Sequence, residues 1–329
     1  APTGSLGQGL SVGLGIALAA KMDKLDYKTF VLMGDSEMAE GQIWEAIQLA
    51  SYYKLNNLIG IIDVNRLGQS TETMVGWDVK EYQKRISAFG WETIVIDGHN
   101  LEEISHAYSR ALDSHNLPVM IIAKTIKGKG IKKVENKEGF HGKALPYDEM
   151  GEHVKDLGEI DKSIRGVILK PVYKLDEKRQ SSRNSSHVAE YNIGDKIATR
   201  KAYGQALLSL LFSHPSLVVL DGETSNSTYS EIFGDKNPDK YFEMFIAEQN
   251  MASVAVGLST REKIPFISTF AAFWTRAHDQ IRMAVNAKAN IKFVGSHAGV
   301  SIGEDGASQM AIEDISMFRS LNDSIVLYP

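Results

Sequence analysis

The sequence predicts an α/β fold of two domains, each a mainly parallel sheet flanked by helices. Three observations carry that expectation. Strand-like and helix-like runs alternate along the whole chain. The strands are apolar throughout rather than at every second residue, as in parallel sheets covered on both faces. A polar, Ser-rich stretch without periodicity divides the alternation, reading as a linker at 171–193 between domains at 1–170 and 194–329.

In the first domain a glycine-rich loop, APTGSLGQG, leads into a small-residue helix, LSVGLGIALAAKM. Strand TFVLMGD, a helix over 42–54, strand LIGIIDVN and helix EYQKRISAFG come next, then strand ETIVIDG, helix LEEISHAYSRAL and strand VMIIAKT. The basic loop at 127–147, KGKGIKKVENKEGFHGKALPY, has a length that is usually functional or disordered. The second domain reads as helix RKAYGQALLSLLFSH, strands LVVLDGE and YFEMFI, and a helix MASVAVGLSTRE after AEQN. Strand PFISTF, helix AFWTRAHDQIRMAVNA, strand IKFVGSH, a helix within SQMAIEDISMFRSL and a strand in SIVLYP complete it. With no initiating Met and a start on a loop, both ends are expected to lie inside a longer protein.

Composition excludes several classes of function. Lys and Arg number 36 against 41 Asp and Glu, a net charge of −5, which gives no electrostatic footprint for nucleic acid. The chain has no Cys, which removes disulfides, thiolate catalysis and Cys-ligated zinc, and fits a reducing, cytoplasmic setting. No apolar run is long enough to span a bilayer, so no membrane partner is expected.

The chemistry begins at MGDSEMAEG, residues 33–41. A strand that ends in Gly-Asp and turns into a helix lies at the carboxyl edge of the sheet, where α/β folds bind ligands. The plainer alternative is that Asp35 or Ser36 caps the next helix. Thirty positions on, Asn65 ends the next strand in IIDVNRLGQ. One helix between two parallel strands returns the chain to the same edge, so the two side chains can meet. With a backbone carbonyl beyond Asn65 they form an oxygen set suited to a hard cation such as Mg²⁺, which commonly shares its shell with phosphates. The amides of Gly4, Ser5 and Leu6, with that of the turn at Ser36, can cradle such phosphates. A rival reading takes GQGLSVG and Asp35 as a dinucleotide fingerprint. It lacks the preceding strand and leaves Asn65 unexplained.

The segment from GDSEMAEG to NNLIGIIDVN resembles the Gly-Asp-x to Asn signature of thiamine-diphosphate enzymes. TGSLGQGL, KGKGI, FHGK, GDKIATRKAYGQAL, IAEQNMASVAVG, STFAAFWTRAHDQIR and GSHAGVSIGEDGASQM are similar to successive motifs of the transketolase family, over nearly the whole chain. The resemblance implies two thiamine-diphosphate-binding-type domains. Residues 1–170 would be the diphosphate and metal domain without its N-terminal part, and 194–329 the aminopyrimidine domain without its C-terminal part.

In the first domain it implies Asp35, Asn65 and the main-chain oxygen of Leu67 as ligands of Mg²⁺, with Ca²⁺ able to substitute. Gly4, Ser5, Leu6 and Ser36 would meet the diphosphate and thiazolium; the family usually has Gly at the Ser36 position. Lys124 and His141 match residues on the cofactor and substrate sides of the long loop, and Glu40 and Glu45 match acids at a subunit interface that link two active centres. In the second domain Glu248 would hydrogen-bond the aminopyrimidine, beside a wall of Phe270 and Phe273. Arg200 and Ser227 match phosphate-end contacts, and His297 and Asp305 match groups at the sugar hydroxyls. Gln309 stands where many microbial and plant members carry His, which aligns the chain with the animal-like branch. Glu248, His141 and His297 carry the catalytic expectation.

Each residue has a plainer alternative when taken alone. Glu248 fits an acid at a helix start, Phe270 and Phe273 fit core aromatics, and the lysines of 127–133 fit a solvated loop. The resemblance implies a homodimer with its sites between subunits. Its implied activity is transfer of a two-carbon ketol unit, held as a carbanion on thiamine diphosphate, from a ketose phosphate such as xylulose 5-phosphate to an aldose phosphate. Another carboligase with the same cofactor and a truncated non-catalytic member are the alternatives.

Overall fold

The computed structural model describes residues 1–159, 161–167 and 191–329; the expected linker, apart from 191–193, lies outside the described residues. Two four-stranded parallel sheets organise the chain. The first contains β1 (Thr29–Gly34), β2 (Leu58–Val64), β3 (Glu92–Asp97) and β4 (Val119–Lys124), in the order β1-β2-β4-β3. The second contains β5 (Leu217–Asp221), β6 (Tyr241–Glu243), β7 (Ile264–Phe270) and β8 (Lys292–Ser296), in the order β6-β5-β7-β8. The central strands β2 and β4 are almost wholly buried, as is β5, whereas edge strand β1 leaves Phe30 and Leu32 exposed.

The connecting helices are α1 (Gly9–Met22), α2 (Gly41–Tyr52), α3 (Val79–Ala88) and α4 (Leu101–Leu112) in the first domain, followed by α5 (Met150–Asp156). The second domain has α6 (Thr199–Ser213), α7 (Ser225–Thr228), α8 (Glu231–Gly234), α9 (Glu248–Ser259), α10 (His278–Asn286) and α11 (Asp314–Arg319). Local chemistry sets two of the starts. Asp78 accepts from the Glu81 N–H at the head of α3, and Asn100 accepts from the N–H groups of Glu102 and Glu103 at the head of α4. The Asn100 amide also donates to Glu103 Oε1 at 3.0 Å, a reciprocal arrangement like a capping box.

One hydrophobic cluster runs through both domains, from Leu10, Leu14 and Leu18 of α1 to Met251, Val254 and Leu258 of α9. The small-residue composition of α1 and α9 now has its cause: the two helices pack directly on each other. A Cβ added at Gly15 would strike the carbonyl of Val254, and one at Gly257 would strike the carbonyl of Val12. The helices run in the same direction, since Ser11 meets Asn250 near their starts and Asp23 pairs with Lys263 just beyond their ends.

The structure departs from the sequence expectations at several elements. The helix expected from Met251 starts at Glu248, because the polar AEQN segment is drawn into the buried seam. AFWTRA is a 3₁₀ stretch over Ala271–Ala277 that leads into α10, and within 308–321 only Asp314–Arg319 is α-helical. SIVLYP forms no strand, for no sheet edge supplies it with a hydrogen-bond ladder; the bridges here join Ala298 and Gly299 to Ala311. The short helices α5, α7 and α8 span too few turns to display apolar periodicity.

Candidate active site

The first half of the site forms where β1 and β2 end side by side, with Gly34 in register with Asp63. Asp35 is buried and caps no helix. Its Oδ1 accepts from the Ser36 N–H at 2.9 Å, and its Oδ2 accepts from the Arg66 N–H at 2.6 Å and from the Thr73 hydroxyl at 3.2 Å. Arg66 takes a left-handed conformation, φ 63°, as the chain turns out of Asn65. Asn65 donates to Asp63 Oδ2 at 3.2 Å and accepts from the Leu67 N–H at 3.1 Å, which fixes its amide. Burial pushes the Asp35 carboxyl up; three hydrogen bonds oppose this, and the nearby Asp63 carboxylate adds to it.

These residues fit a hard cation. Asp35, Asn65 and the Leu67 carbonyl offer only oxygen donors, and a divalent ion would relieve both forces that raise Asp35. The Lys127 ammonium already lies 3.1 Å from the Leu67 oxygen, a positive charge on one member of the set. Among the described residues no group of three or more His, Cys, Asp or Glu gathers as a softer or more acidic metal site would require.

Lys127 also meets His141 Nδ1 at 2.9 Å, which ties the exposed His141 loop to the oxygen set. Lys124 ends β4 in register with Val64, its ammonium 5.3 Å from the centre of the Trp77 ring that Arg66 also meets at 4.9 Å. Gly4, Leu6 and Ser36 are exposed, and a Cβ at Gly4 would meet nothing. Glu37 holds the glycine loop onto the βα turn, accepting from the Gly7 N–H at 2.8 Å and the Gly34 N–H at 3.2 Å. A cleft of about 360 Å³ opens nearby between α1 and β1, lined by Leu6, Val12, Ile16, Phe30, Leu32 and Glu37 among others; it contains none of Asp35, Asn65 or Glu248.

The second half lies at the carboxyl ends of the other sheet. Glu248, the first residue of α9, is 4% exposed, and its Oε2 has no hydrogen-bond partner. The Arg276 Nε stands 4.0 Å away, on a side chain that is 67% exposed. Phe270 and Phe273 stack at 5.2 Å with planes 7° apart, and the His297 ring centre lies 4.3 Å from that of Phe270. Burial lowers the His297 pKa, the Arg200 charge lowers it further and Asp305 opposes, so the neutral imidazole is favoured. Arg200 Nη1 donates to the Ser227 carbonyl at 3.0 Å. Asp305 and Gln309 sit on neighbouring 3₁₀ turns, Gly303–Asp305 and Ala307–Gln309. An orphaned buried carboxylate oxygen on the same sheet edge as a stacked aromatic pair suits a flat ring that carries a nitrogen.

A buried polar seam joins the halves. Gln42 donates to Ser11 Oγ at 3.0 Å and to Ser253 Oγ at 2.8 Å, Asn250 donates to Ser11 Oγ at 2.9 Å, and Gln280 donates to Gln42 Oε1 at 2.7 Å. Glu45 Oε2 accepts from the Asn250 N–H at 3.1 Å within the chain. Burial raises the Glu45 pKa, that N–H opposes, and Glu248 adds to the rise. Glu40 is exposed and packs its side chain on Gly7. Asp279 of α10 reaches the glycine loop, accepting from the Ser5 hydroxyl and from Gln8 Nε2 at 2.7 Å.

Sequence reasoning did not find Glu37, Thr73 or Asp279. Glu37 lies inside the GDSE stretch, and its position beside a glycine-rich turn was the available signal. Thr73 and Asp279 reach the site only through tertiary packing and left none.

Comparison with known proteins identifies the family. The family model described as transketolase, thiamine diphosphate binding domain, matches residues 1–202, and that described as transketolase, pyrimidine binding domain, matches residues 195–329. Transketolase of Homo sapiens is 49% identical, the alignment covering 99% of this chain and 52% of that protein. Transketolase-like protein 2 of Mus musculus is 50% identical over 99% of this chain and 53% of its own. The crystal structure of transketolase from Campylobacter jejuni superposes with a TM-score of 0.78 at 26% identity, over 96% of this chain and 55% of that one. The chain spans about half the length of the curated relatives it matches.

Proposed function

Because the chain belongs to the transketolase family, we propose that the protein transfers a two-carbon ketol unit from a ketose phosphate to an aldose phosphate, using thiamine diphosphate and a divalent cation, Mg²⁺ foremost. The observation that carries the reading is the buried Oε2 of Glu248, without a hydrogen bond, on the same sheet edge as stacked Phe270 and Phe273, in a chain that also holds Asp35 and Asn65 beyond the ends of neighbouring strands β1 and β2. Thiamine diphosphate supplies, when bound, the electron sink on which the two-carbon unit is carried. Asp35, Asn65 and the Leu67 carbonyl would hold the cation. Glu248 would hold a proton at a ring nitrogen through its free oxygen. Neutral His297 exchanges hydrogen bonds with sugar hydroxyls, and Arg200 meets the phosphate end. Calorimetric titration of the protein with thiamine diphosphate, with and without Mg²⁺ and beside a NAD control, tests the cofactor reading. Heat with NAD and none with thiamine diphosphate would overturn it.

Arg200→Ala is expected to raise KM for phosphorylated sugars and leave cofactor affinity nearly intact. An arginine–phosphate pair is charge-assisted and often bidentate, so the loss should be about 1.5–3 kcal/mol. An equal loss with a nonphosphorylated donor contradicts this role for Arg200.

The protein is also proposed to act as a homodimer, through exposed Glu40 and partly buried Glu45 as acids near a subunit boundary. Light scattering under assay conditions is expected to give twice the chain mass. An active species of single-chain mass rules the dimer out.

A further inference from the structure

Asp221, the last residue of β5, is fully buried. Its carboxylate accepts four hydrogen bonds, all from the turn that follows. They come from the Thr224 N–H at 2.7 Å, the Thr224 hydroxyl at 3.0 Å, the Thr228 hydroxyl at 2.7 Å and the Ser230 hydroxyl at 2.8 Å. A carboxylate can accept all four because it accepts only; an amide of the same shape would present a donor to two of them. Burial pushes the Asp221 carboxyl up and these donors oppose it.

The turn so held carries the atoms that orient Arg200. The guanidinium donates to the Ser227 carbonyl at 3.0 Å and lies 5.2 Å from the centre of the Tyr229 ring. Tyr229 is fixed in the left-handed region, φ 61°. Its carbonyl fits against α6 only because residue 204 is Gly, since a Cβ there would collide with it. Tyr203, one turn of α6 beyond Arg200, bonds Ser268 Oγ at 2.6 Å and anchors the helix to β7. Arg200 is thus set between a pinned helix and a turn whose side-chain anchor is Asp221.

We propose that Asp221 is a positioning residue for phosphate recognition: it holds the Thr224–Ser230 turn so that Arg200 keeps guanidinium N–H groups for the phosphate of a sugar phosphate. This rests on the phosphate-end reading of Arg200 and extends it to a buried residue that touches no substrate. A merely structural Asp221 would lower activity toward every donor alike.

The test compares Asp221→Asn, Thr228→Val, Arg200→Ala and the Asp221→Asn/Arg200→Ala double variant on a phosphorylated and a nonphosphorylated donor. Asp221→Asn is expected to raise KM for the phosphorylated donor about fivefold, the factor one ordinary hydrogen bond carries, with kcat and the nonphosphorylated donor unmoved. Thr228→Val removes one of the four donors with little change of shape and should give a smaller shift in the same direction; it carries the test if Asp221→Asn does not fold. The double variant should be no worse than Arg200→Ala alone. Equal losses on both donors in Asp221→Asn, or losses that multiply in the double variant while the loss in Arg200→Ala stays confined to the phosphorylated donor, overturn the role of Asp221 and leave that of Arg200 standing. Equal losses on both donors in Arg200→Ala itself overturn both roles.

Discussion

Glu248→Ala is expected to fold, to bind metal and diphosphate, and to lose about 10²–10⁴-fold in hydrogen–deuterium exchange at the thiazolium carbon of bound cofactor, the range for a positioned proton-transfer partner. If Glu248 were only an acid favoured by the positive end of α9, its removal would cost about 0.3–1 kcal/mol of stability and nothing else. The structure opposes that account. A buried polar atom that makes no hydrogen bond costs about 1–3 kcal/mol, and Glu248 Oε2 is such an atom, with only the exposed Arg276 guanidinium 4.0 Å away. The cost exceeds the dipole's benefit, so the cofactor-free variant should be as stable as the parent or more so. Glu248→Gln should fail in exchange as well, because an amide does not carry the same charge. Chemical denaturation and exchange measured on the same samples decide the matter. Parent-like exchange in Glu248→Ala sinks the assignment, and a stability loss without an exchange defect returns Glu248 to the helix-start role.

Asp35→Asn should abolish Mg²⁺-dependent binding of thiamine diphosphate. Asp35 is the acid among the three oxygen donors, and Mg²⁺ sites usually rest on one or two carboxylates plus phosphate. Three donors converge on this carboxylate. Hydrogen bonds to charged groups contribute about 1.5–3 kcal/mol each, so Asp35→Ala would also loosen the Arg66 turn. The asparagine variant separates charge from shape. Titration with Mg²⁺ and with a chelator should then give the same weak binding in both conditions. An affinity that still depends on Mg²⁺ as in the parent would remove Asp35 from the metal set.

The placing of Asp35 and Asn65 at adjacent strand ends was legible, because two parallel strands separated by one helix must end on the same sheet edge, whatever the rest of the chain does. The packing of α1 on α9 was half legible. Runs such as GLGIALAA and ASVAVG announce close approach of something, but composition does not say that each helix is the other's neighbour. Glu248 was found through its motif, while its lack of a partner is a property of three dimensions. Asp221 left no signal, since a strand-ending Asp before Gly reads as an ordinary turn, and its four donors are seen only once the turn closes over it. SIVLYP has the composition of a strand, and a strand needs a partner edge that local sequence does not report.

The backbone contact between Gly15 and Gly257 also limits how the molecule can move. A slide of α1 past α9 by one helical turn, about 5.4 Å, would set the side chains of Leu18 and Ala19 against the Val254 carbonyl that now faces bare Gly15, and would strip the buried amides of Gln42 and Asn250 of their Ser11 partner. Shear between the domains is therefore closed as a way of opening the site. The 127–147 loop lies outside this seam, held at Lys127, whose ammonium donates to the Leu67 carbonyl at 3.1 Å.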